Sequence, residues 1–420
     1  MQENIRWRKE KMVEDNPKMI ELEEMKGFCD RFEDIYIWGH TMQSMLISKY
    51  LFMAEIKING FIMTIVRDCD RYNEPFPVES IASINKLPYL RKRKIGVILP
   101  CLDDERNQII EMLKMIGISN VYIVSEWNKR TIEKKMMPRS LNDFYLEVNL
   151  ADHCNLNCQC CDHFSPIASK TFLDFEQYVK DIKRLAYLTD GKIGLMKLQG
   201  GEPLLNERLI DYIRVTRESF PESHICLFTD GVLLSKWGGY QGEKNIWNAV
   251  LKYEIEIRMT QYPIPLTMEK IVNVAKEYGV PVTFDPPEFK KGARLWIFSE
   301  IGALGYKGIK HSVKHPFDLT GNQEKFRWIS CYQFNESIVL RDGKIYTCPM
   351  IPYSHYFNEY FNKNLEVKDD AYIDIYQAQS FEEIAEFCTH RTSFCDYCAV
   401  HKRNSRPWKQ SEHNIEEWTL

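Results

Sequence analysis

The chain has 420 residues, room for about two to four domains of ordinary size. Hydrophobic residues at 44% and charged residues at 27% are those of a globular protein and exclude wholesale disorder. With 55 Lys and Arg against 59 Asp and Glu, the net charge of −4 offers no general basic footprint for nucleic acid or an anionic membrane. No apolar stretch approaches the length of a membrane-spanning helix, so no membrane association is expected. The N-terminal MQENIRWRKEKMVEDNPK lacks the apolar core of a secretory signal, and a cytoplasmic location is expected.

Residues 1–30 read as one or two charged helices. DIYIWG (34–39) is a strand-like run ending in Gly, followed by a helical pattern through Tyr50 and Leu51. Further strand-like runs are IKINGFIMTIV (56–66), IGVILP (95–100) and VYIVS (121–125), with the amphipathic DERNQIIEMLKMIGI before the last. Strands alternating with helices predict a Rossmann-like α/β domain over 1–135. Its first strand leads into Gly39-His40-Thr41-Met42-Gln43-Ser44, with one glycine where a dinucleotide fingerprint needs three, so a docking or substrate-orienting role is favoured over NAD binding. The polar NKRTIEKKMMPRSLND (128–143) reads as a linker, with Lys129-Arg130 and Lys134-Lys135 on a solvated face. Arg91-Lys92-Arg93-Lys94 is a second charged run, also read as solvated.

The alternation resumes on a larger scale over 143–310. FYLEVNLA (144–151), IGLMKLQGG (193–201), HICLFTDG (224–231), EIEIRMTQ (254–261) and PVTFDP (281–286) read as strands, with a further one around Trp296. TFLDFEQYVKDIKRLAYL, NERLIDYIRVTRES, NIWNAVLKY and TMEKIVNVAKEYG read as the intervening helices. This order predicts a TIM-type (β/α) barrel or partial barrel with ligands at the C-terminal ends of its strands. In the third region, 325–420, ESIVLRDGKIYTCP reads as a hairpin turning at Asp342-Gly343.

Thirteen cysteines are too few for a disulfide scaffold, and their clustering points to metal or redox chemistry. Cys29, Cys69, Cys101 and Cys226 are scattered, whereas Cys154, Cys158, Cys160 and Cys161 sit together and Cys331, Cys348, Cys388, Cys395 and Cys398 gather near the C-terminus. Cysteines placed at random would give the spacing C-x3-C-x2-C with odds of roughly 0.01. One loop carrying three thiolates suits an iron–sulfur cluster with one open iron, and a structural metal loop is the alternative.

The run Cys154-Asn-Leu-Asn-Cys158-Gln-Cys160-Cys161 resembles the signature of the radical S-adenosylmethionine (SAM) superfamily, C-x3-C-x-Φ-C after the first strand of a partial (β/α)6 barrel. Gly200-Gly201-Glu202-Pro203 is similar to the superfamily's GGEP motif, whose glycines let backbone approach a ligand. Thr229-Asp230-Gly231 stands where T-N-G is common, with Asp in place of Asn, and Thr260 in Arg258-Met259-Thr260-Gln261 stands where a nucleoside contact is common. The resemblance, over roughly 144–300, implies that Cys154, Cys158 and Cys161 hold a catalytic [4Fe–4S] cluster. It further implies that Cys160, Gly200, Gly201, Glu202, Pro203, Thr229, Asp230 and Thr260 contact the cofactor, with Cys160 as packing against adenine. Cys331, Cys348, Cys395 and Cys398 look like a twitch, the shorter form of the SPASM extension, holding one auxiliary [4Fe–4S] cluster; four-cysteine zinc is the rival metal. Cys388 is an alternative ligand or an ordinary thiol.

The implied activity is reductive cleavage of SAM to a 5′-deoxyadenosyl radical, with an electron from a flavodoxin- or ferredoxin-type donor. The expected substrate is a nucleotide-activated sugar or polyol that is dehydrogenated, dehydrated or epimerised, because the chain opens with an α/β region rather than a peptide-leader-binding element. Such a reaction would make it an oxidoreductase or lyase. A peptide or protein maturase and a non-catalytic iron–sulfur carrier or sensor remain the alternatives. Cys226 or Tyr262 could serve as a hydrogen donor, His153 and His163 could tune the cluster or cap its loop, and His315, Arg327 and Asp285 are polar residues that could face the barrel mouth.

Overall fold

The computed structural model describes residues 17–67, 76–100, 103–237, 240–241, 244–298, 300–301, 306–307 and 311–420, so residues 1–16, Cys69 and Cys101 lie outside it. The chain divides into two compact units, 1–137 with 323–331, and 138–322 with 332–420.

In the first unit, β1 (Asp34–Trp38), β2 (Gly60–Met63), β3 (Val78–Ser80), β4 (Ile95–Leu99) and β5 (Val121–Ile123) form one sheet in the order β3-β2-β1-β4-β5. Every neighbouring pair is parallel. That is the Rossmann-like pattern, with β1 and β4 side by side at the centre. The three-residue β3 has no apolar run to announce it. Ile35, Ile37, Val97 and Leu99 are buried, as strands covered on both faces require. Helices α1 (Pro17–Cys29), α2 (Met42–Met53) and α3 (Asp103–Met115) belong to this unit. Thr41 caps α2 by accepting from the Ser44 N–H at 3.3 Å. The run 91–94 is ion-paired: Arg91 reaches Glu33 at 3.0 Å and Asp34 at 2.6 Å.

The expected linker at 128–143 is wrong over most of its length. Glu126–Met136 forms α4, capped by Ser125, whose Oγ accepts from the Asn128 N–H at 3.1 Å. Ile132 and Met136, four residues apart, bury one stripe, and Lys129 lies 2% exposed beside them. The aliphatic stems of its lysines cover apolar surface, so a polar composition hid an amphipathic helix.

The second unit is built on β6 (Tyr145–Ala151), β7 (Leu195–Gly200), β8 (His224–Thr229), β9 (Glu256–Thr260), β10 (Val282–Thr283) and β11 (Arg294–Phe298). These six strands are parallel, in the order β10-β11-β9-β8-β7-β6. With α5 (Phe175–Leu188), α6 (Leu209–Ser219), α7 (Ile246–Lys252) and α8 (Met268–Glu277) between them, they make the partial (β/α)6 arrangement. The strand expected at 281–286 shrinks to the two residues of β10, since Pro286 and Pro287 donate no ladder bonds. The run around Trp296 forms the full strand β11, inserted between β10 and β9. Tyr178, Ile182 and Leu185 give α5 its buried stripe, and Asp174 caps it by accepting from Gln177 N at 2.7 Å.

Strand alternation sorts the two faces of this sheet. Leu146, Val148, Leu150, Met196, Leu198, Ile225, Leu227, Ile257, Met259, Leu295 and Ile297 join the helix-facing core. The opposite face carries Glu147, Asn149, Lys197, Gln199, His224, Cys226, Glu256 and Arg258. Beyond β6 the sheet continues through β12 (Ile338–Arg341), parallel to it, and the antiparallel β13 (Lys344–Tyr346) and β14 (Tyr372–Asp374). Asp342 and Gly343, at φ +50° and +74°, turn the β12–β13 hairpin. The C-terminal segment adds α9 (Met350–Phe361) and α10 (Phe381–Phe387), and its aromatic cluster joins Phe164, Phe317, Phe357, Phe394 and Trp418.

Candidate active site at the end of the first barrel strand

Strand β6 delivers the chain to Asp152, whose buried carboxylate takes both Arg341 nitrogens at 2.8 and 2.9 Å and the Tyr356 hydroxyl at 2.7 Å. The loop that follows is curled by left-handed Asn157 and Cys160, at φ +54° and +60°. Leu156 N–H donates to Cys154 Sγ at 3.3 Å, and the Trp408 indole N–H donates to Cys158 Sγ at 3.2 Å. Burial pushes the thiols of Cys154 and Cys158 up, the latter to about 12. Burial would raise Cys161 too, but its hydrogen bond to His163 outweighs that and holds it low.

The Gly200–Pro203 turn lies against this loop. Gly201 N–H donates to Ala151 O at 2.8 Å and Glu202 N–H to His153 O at 3.1 Å. A Cβ added at Gly200 would sit 2.2 Å from Ala151 O, and at Gly201 2.0 Å from His153 O. The glycines therefore let the turn approach the cysteine loop itself, a different reason from the ligand contact expected of them. The buried Glu202 carboxylate accepts from Leu204 N and Asp230 N, each at 2.9 Å, and from Thr229 Oγ1 at 2.9 and 3.0 Å. Burial, reinforced by Asp230, raises this carboxyl well above its ordinary value. Asp230 Oδ2 lies 3.9 Å from Cys154 Sγ, so the ends of β6, β7 and β8 converge at one place.

No family model matches the chain. It is similar in sequence to the GTP 3′,8-cyclase of Clostridium perfringens (strain SM101 / Type A), 33% identical over 93 residues, which cover 21% of this chain and 28% of that one. The enzyme of the same name from Aliarcobacter butzleri is 36% identical over 95 residues, covering 22% and 28%. That of Sulfurovum sp. (strain NBC37-1) is 31% identical over 146 residues, covering 33% and 44%. The chain thus spans less than half the length of these relatives. The matched stretches, together with the cysteine loop, support a place for the chain in the radical SAM superfamily. Overlays on solved structures are loose. BtrN in complex with AdoMet and 2-DOIA gives a TM-score of 0.36 at 13% identity over 68% of this chain and all of that one. Native anSMEcpe with bound AdoMet gives 0.33 at 14% over 62% and 84%. Such scores carry no argument of their own.

Radical SAM membership implies a [4Fe–4S] cluster and SAM. The donor chemistry here fits the cluster. Cys154, Cys158 and Cys161 are three thiols on one short loop, each with a hydrogen-bond donor at its sulfur, as thiolate ligands require. Thr260 ends β9 half-buried. Cys160 is buried, and the charges around it are those of Arg406, Glu417, Lys314 and Asp162, so it faces the C-terminal segment.

Near the C-terminus, Cys348 and Cys398 pack against the same aromatic cluster, and Cys395 lies one turn before Cys398. Cys331 closes the segment 323–331 that belongs to the first unit. Cys388 is fully buried in the helix-facing core beside Ile384, where burial raises its thiol; it is an ordinary core residue there. Arg327 pairs with Glu23 and Glu324 in the first unit, and Asp285 is exposed beyond β10. His153 packs edge-on against Phe172, and His315 is tilted against Tyr332 with ring centres 4.5 Å apart.

Sequence reasoning missed the polar face of the barrel sheet. Lys197 Nζ and Gln199 Nε2 each donate to Glu147 at 2.7 Å, and Glu256 takes Arg258 at 2.7 Å, Arg294 at 2.7 Å and His224 at 3.2 Å. The period-two polar residues inside otherwise apolar runs, as in LMKLQG, were the available signal. Cys226 donates to Glu256 at 3.3 Å within the same group. His224, Cys226 and Glu256 have the donor types of a cation site, but the two guanidiniums on one carboxylate already supply its positive charge.

Proposed function

We propose that this chain is a radical SAM enzyme acting on a small, polar, carbohydrate-type substrate, a nucleotide-activated sugar or a polyol. The observation that carries the reading is the convergence of the Cys154–Cys161 loop, the Gly200–Pro203 turn and Thr229-Asp230 at the ends of three adjacent strands. Cys154, Cys158 and Cys161 would hold the cluster. When bound, it supplies an electron that cleaves SAM to methionine and a 5′-deoxyadenosyl radical, the species that takes hydrogen from substrate. The turn backbone would receive the methionine end of SAM and the end of β8 at Thr229-Asp230 its ribose, while Glu202 acts behind them by fixing Thr229 and the Asp230 N–H. Thr260 would pack about the nucleoside, whereas Cys160, expected there, faces the C-terminal segment instead.

The polar face with Glu147, Lys197, Gln199 and Arg258 supports a hydroxylated substrate, since buried polar groups reward a ligand that returns hydrogen bonds. Dehydrogenation, dehydration and epimerisation all start from hydrogen removal at a carbinol carbon. Cys348, Cys395 and Cys398 would hold an auxiliary [4Fe–4S] cluster. The 1–135 domain would dock or orient substrate, and a flavodoxin- or ferredoxin-type protein would supply the electron. The test is an anaerobic assay with dithionite and SAM across nucleotide sugars, polyols, short peptides and, because the relatives are named for it, GTP. Deoxyadenosine formed faster with one sugar or polyol than without substrate supports the reading. A response confined to peptides, to GTP or to nothing rejects it.

A further inference from the structure

Each sulfur of Cys154, Cys158 and Cys161 has a donor, but the donors differ in origin. Cys154 takes the N–H of Leu156, two residues away, and Cys161 is bonded by His163, also two residues away. The indole of Trp408, 250 positions along the chain, donates to Cys158, a sulfur that Tyr262 also bonds. Trp408 does not reach there as a loose side chain. The backbone on either side of it is tied to the loop: Gln159 N–H donates to Lys409 O at 2.9 Å, and Ser411 N–H to Asn157 O at 2.8 Å. Gln410 Nε2 adds a bond to Leu156 O at 3.1 Å, and Trp418 Nε1 one to Cys161 O at 2.9 Å. On its other side the indole meets the ring of Tyr262, with centroids 5.8 Å apart. Residues 404–420 are thus a strap laid along the cysteine loop, and Trp408 is the point where it touches a sulfur.

We propose that Trp408 is a positioning residue that acts through Cys158, its N–H making the cluster held by this loop easier to reduce. The inference rests on the reading of Cys154, Cys158 and Cys161 as cluster ligands. Reduction adds one electron from a ferredoxin- or flavodoxin-class donor, and no bond breaks. The added negative charge spreads onto the ligand sulfurs, so a donor aimed at one of them stabilises the reduced state more than the oxidised. The sulfur is half-buried, which strengthens that electrostatic effect. Because the donor comes from the strap, docking of residues 404–420 and the potential of the cluster are coupled.

The test is an anaerobic redox titration of the full chain, followed at the EPR signal that changes on adding SAM, for the wild type and Trp408→Phe. Phe keeps a ring against Tyr262 and removes only the donor. The expected result is a midpoint shifted to more negative potential with iron content and the SAM-induced change intact, and partial recovery in Trp408→His, which retains a ring N–H. An unchanged midpoint with iron retained overturns the inference and leaves the ligand reading standing. Absence of any SAM-responsive signal in the wild type brings down both. Should Trp408→Phe lose its iron, the wild type carries the test. ENDOR at that signal in protein carrying indole-15N tryptophan must show coupling to that nitrogen, and its absence overturns the inference.

Discussion

At Gly201 any side chain would start 2.0 Å from the carbonyl oxygen of His153, one residue before the first cysteine of the loop. Backbone cannot yield as a flexible side chain does, so Gly201→Ala should displace the loop. Iron per chain after anaerobic reconstitution should fall by about four atoms, one cluster's worth, while circular dichroism stays native. Glu256 allows a pH argument. Burial alone would raise its carboxyl, but the His224 hydrogen bond and the Arg258 guanidinium hold it down to about 2 from 4.5. A lowered folded value means stability present above 4.5 and lost as pH falls toward 2, on the order of 3 kcal/mol in all. Urea unfolding of wild type and Glu256→Gln should therefore show an advantage for the wild type near neutral pH that shrinks steadily below about pH 5. The cysteine loop and the Gly200–Pro203 turn were legible in the sequence because their chemistry demands particular residues at short spacing. Trp408 and Arg341 were not, because each works on a partner far along the chain, and no local pattern records such a pairing.

Between elements, the β12–β13 hairpin and β6 are joined by the Arg341–Asp152 pair, with Tyr356 of α9 as a third member. Asp152 is 1% exposed, so Arg341→Ala would leave its carboxylate buried with Tyr356 as its remaining side-chain partner among the described bonds. The expected cost is about 3–5 kcal/mol, read as a lower denaturant midpoint, and Asp152→Asn in the same background should recover part of it. The strap makes a second prediction. Amide exchange at residues 156–159 should speed up by at least tenfold in a chain ending at Arg403, because Gln159 N–H loses its acceptor on Lys409. Elements with strong periodicity were legible: α5, the hairpin at Asp342-Gly343 and the apolar strands. The helix Glu126–Met136 was not, since lysine stems did the work of apolar residues there, and β3 was too short to leave a pattern.

For the whole molecule, the alternation of strands and helices made two α/β regions readable, and the structure divides the chain near residue 137 while returning 323–331 to the first unit. That return is a long-range packing choice: within the first unit, the Tyr50 hydroxyl donates to Phe326 O at 2.7 Å, which composition cannot announce. Among the described residues no helix is long and apolar enough to cross a membrane. On the function proposed above, the loop from Cys154 to Cys161 holds a cluster that reduces SAM. The most direct measurement is anaerobic turnover of SAM with dithionite by reconstituted wild type and the Cys154→Ala, Cys158→Ala, Cys161→Ala triple variant, with methionine and 5′-deoxyadenosine quantified together. Equimolar products are expected from the wild type, none above background from the variant, with iron retained by the variant at its C-terminal cysteines. Equal turnover by the two proteins, or a wild type that binds zinc and leaves SAM intact, would contradict it.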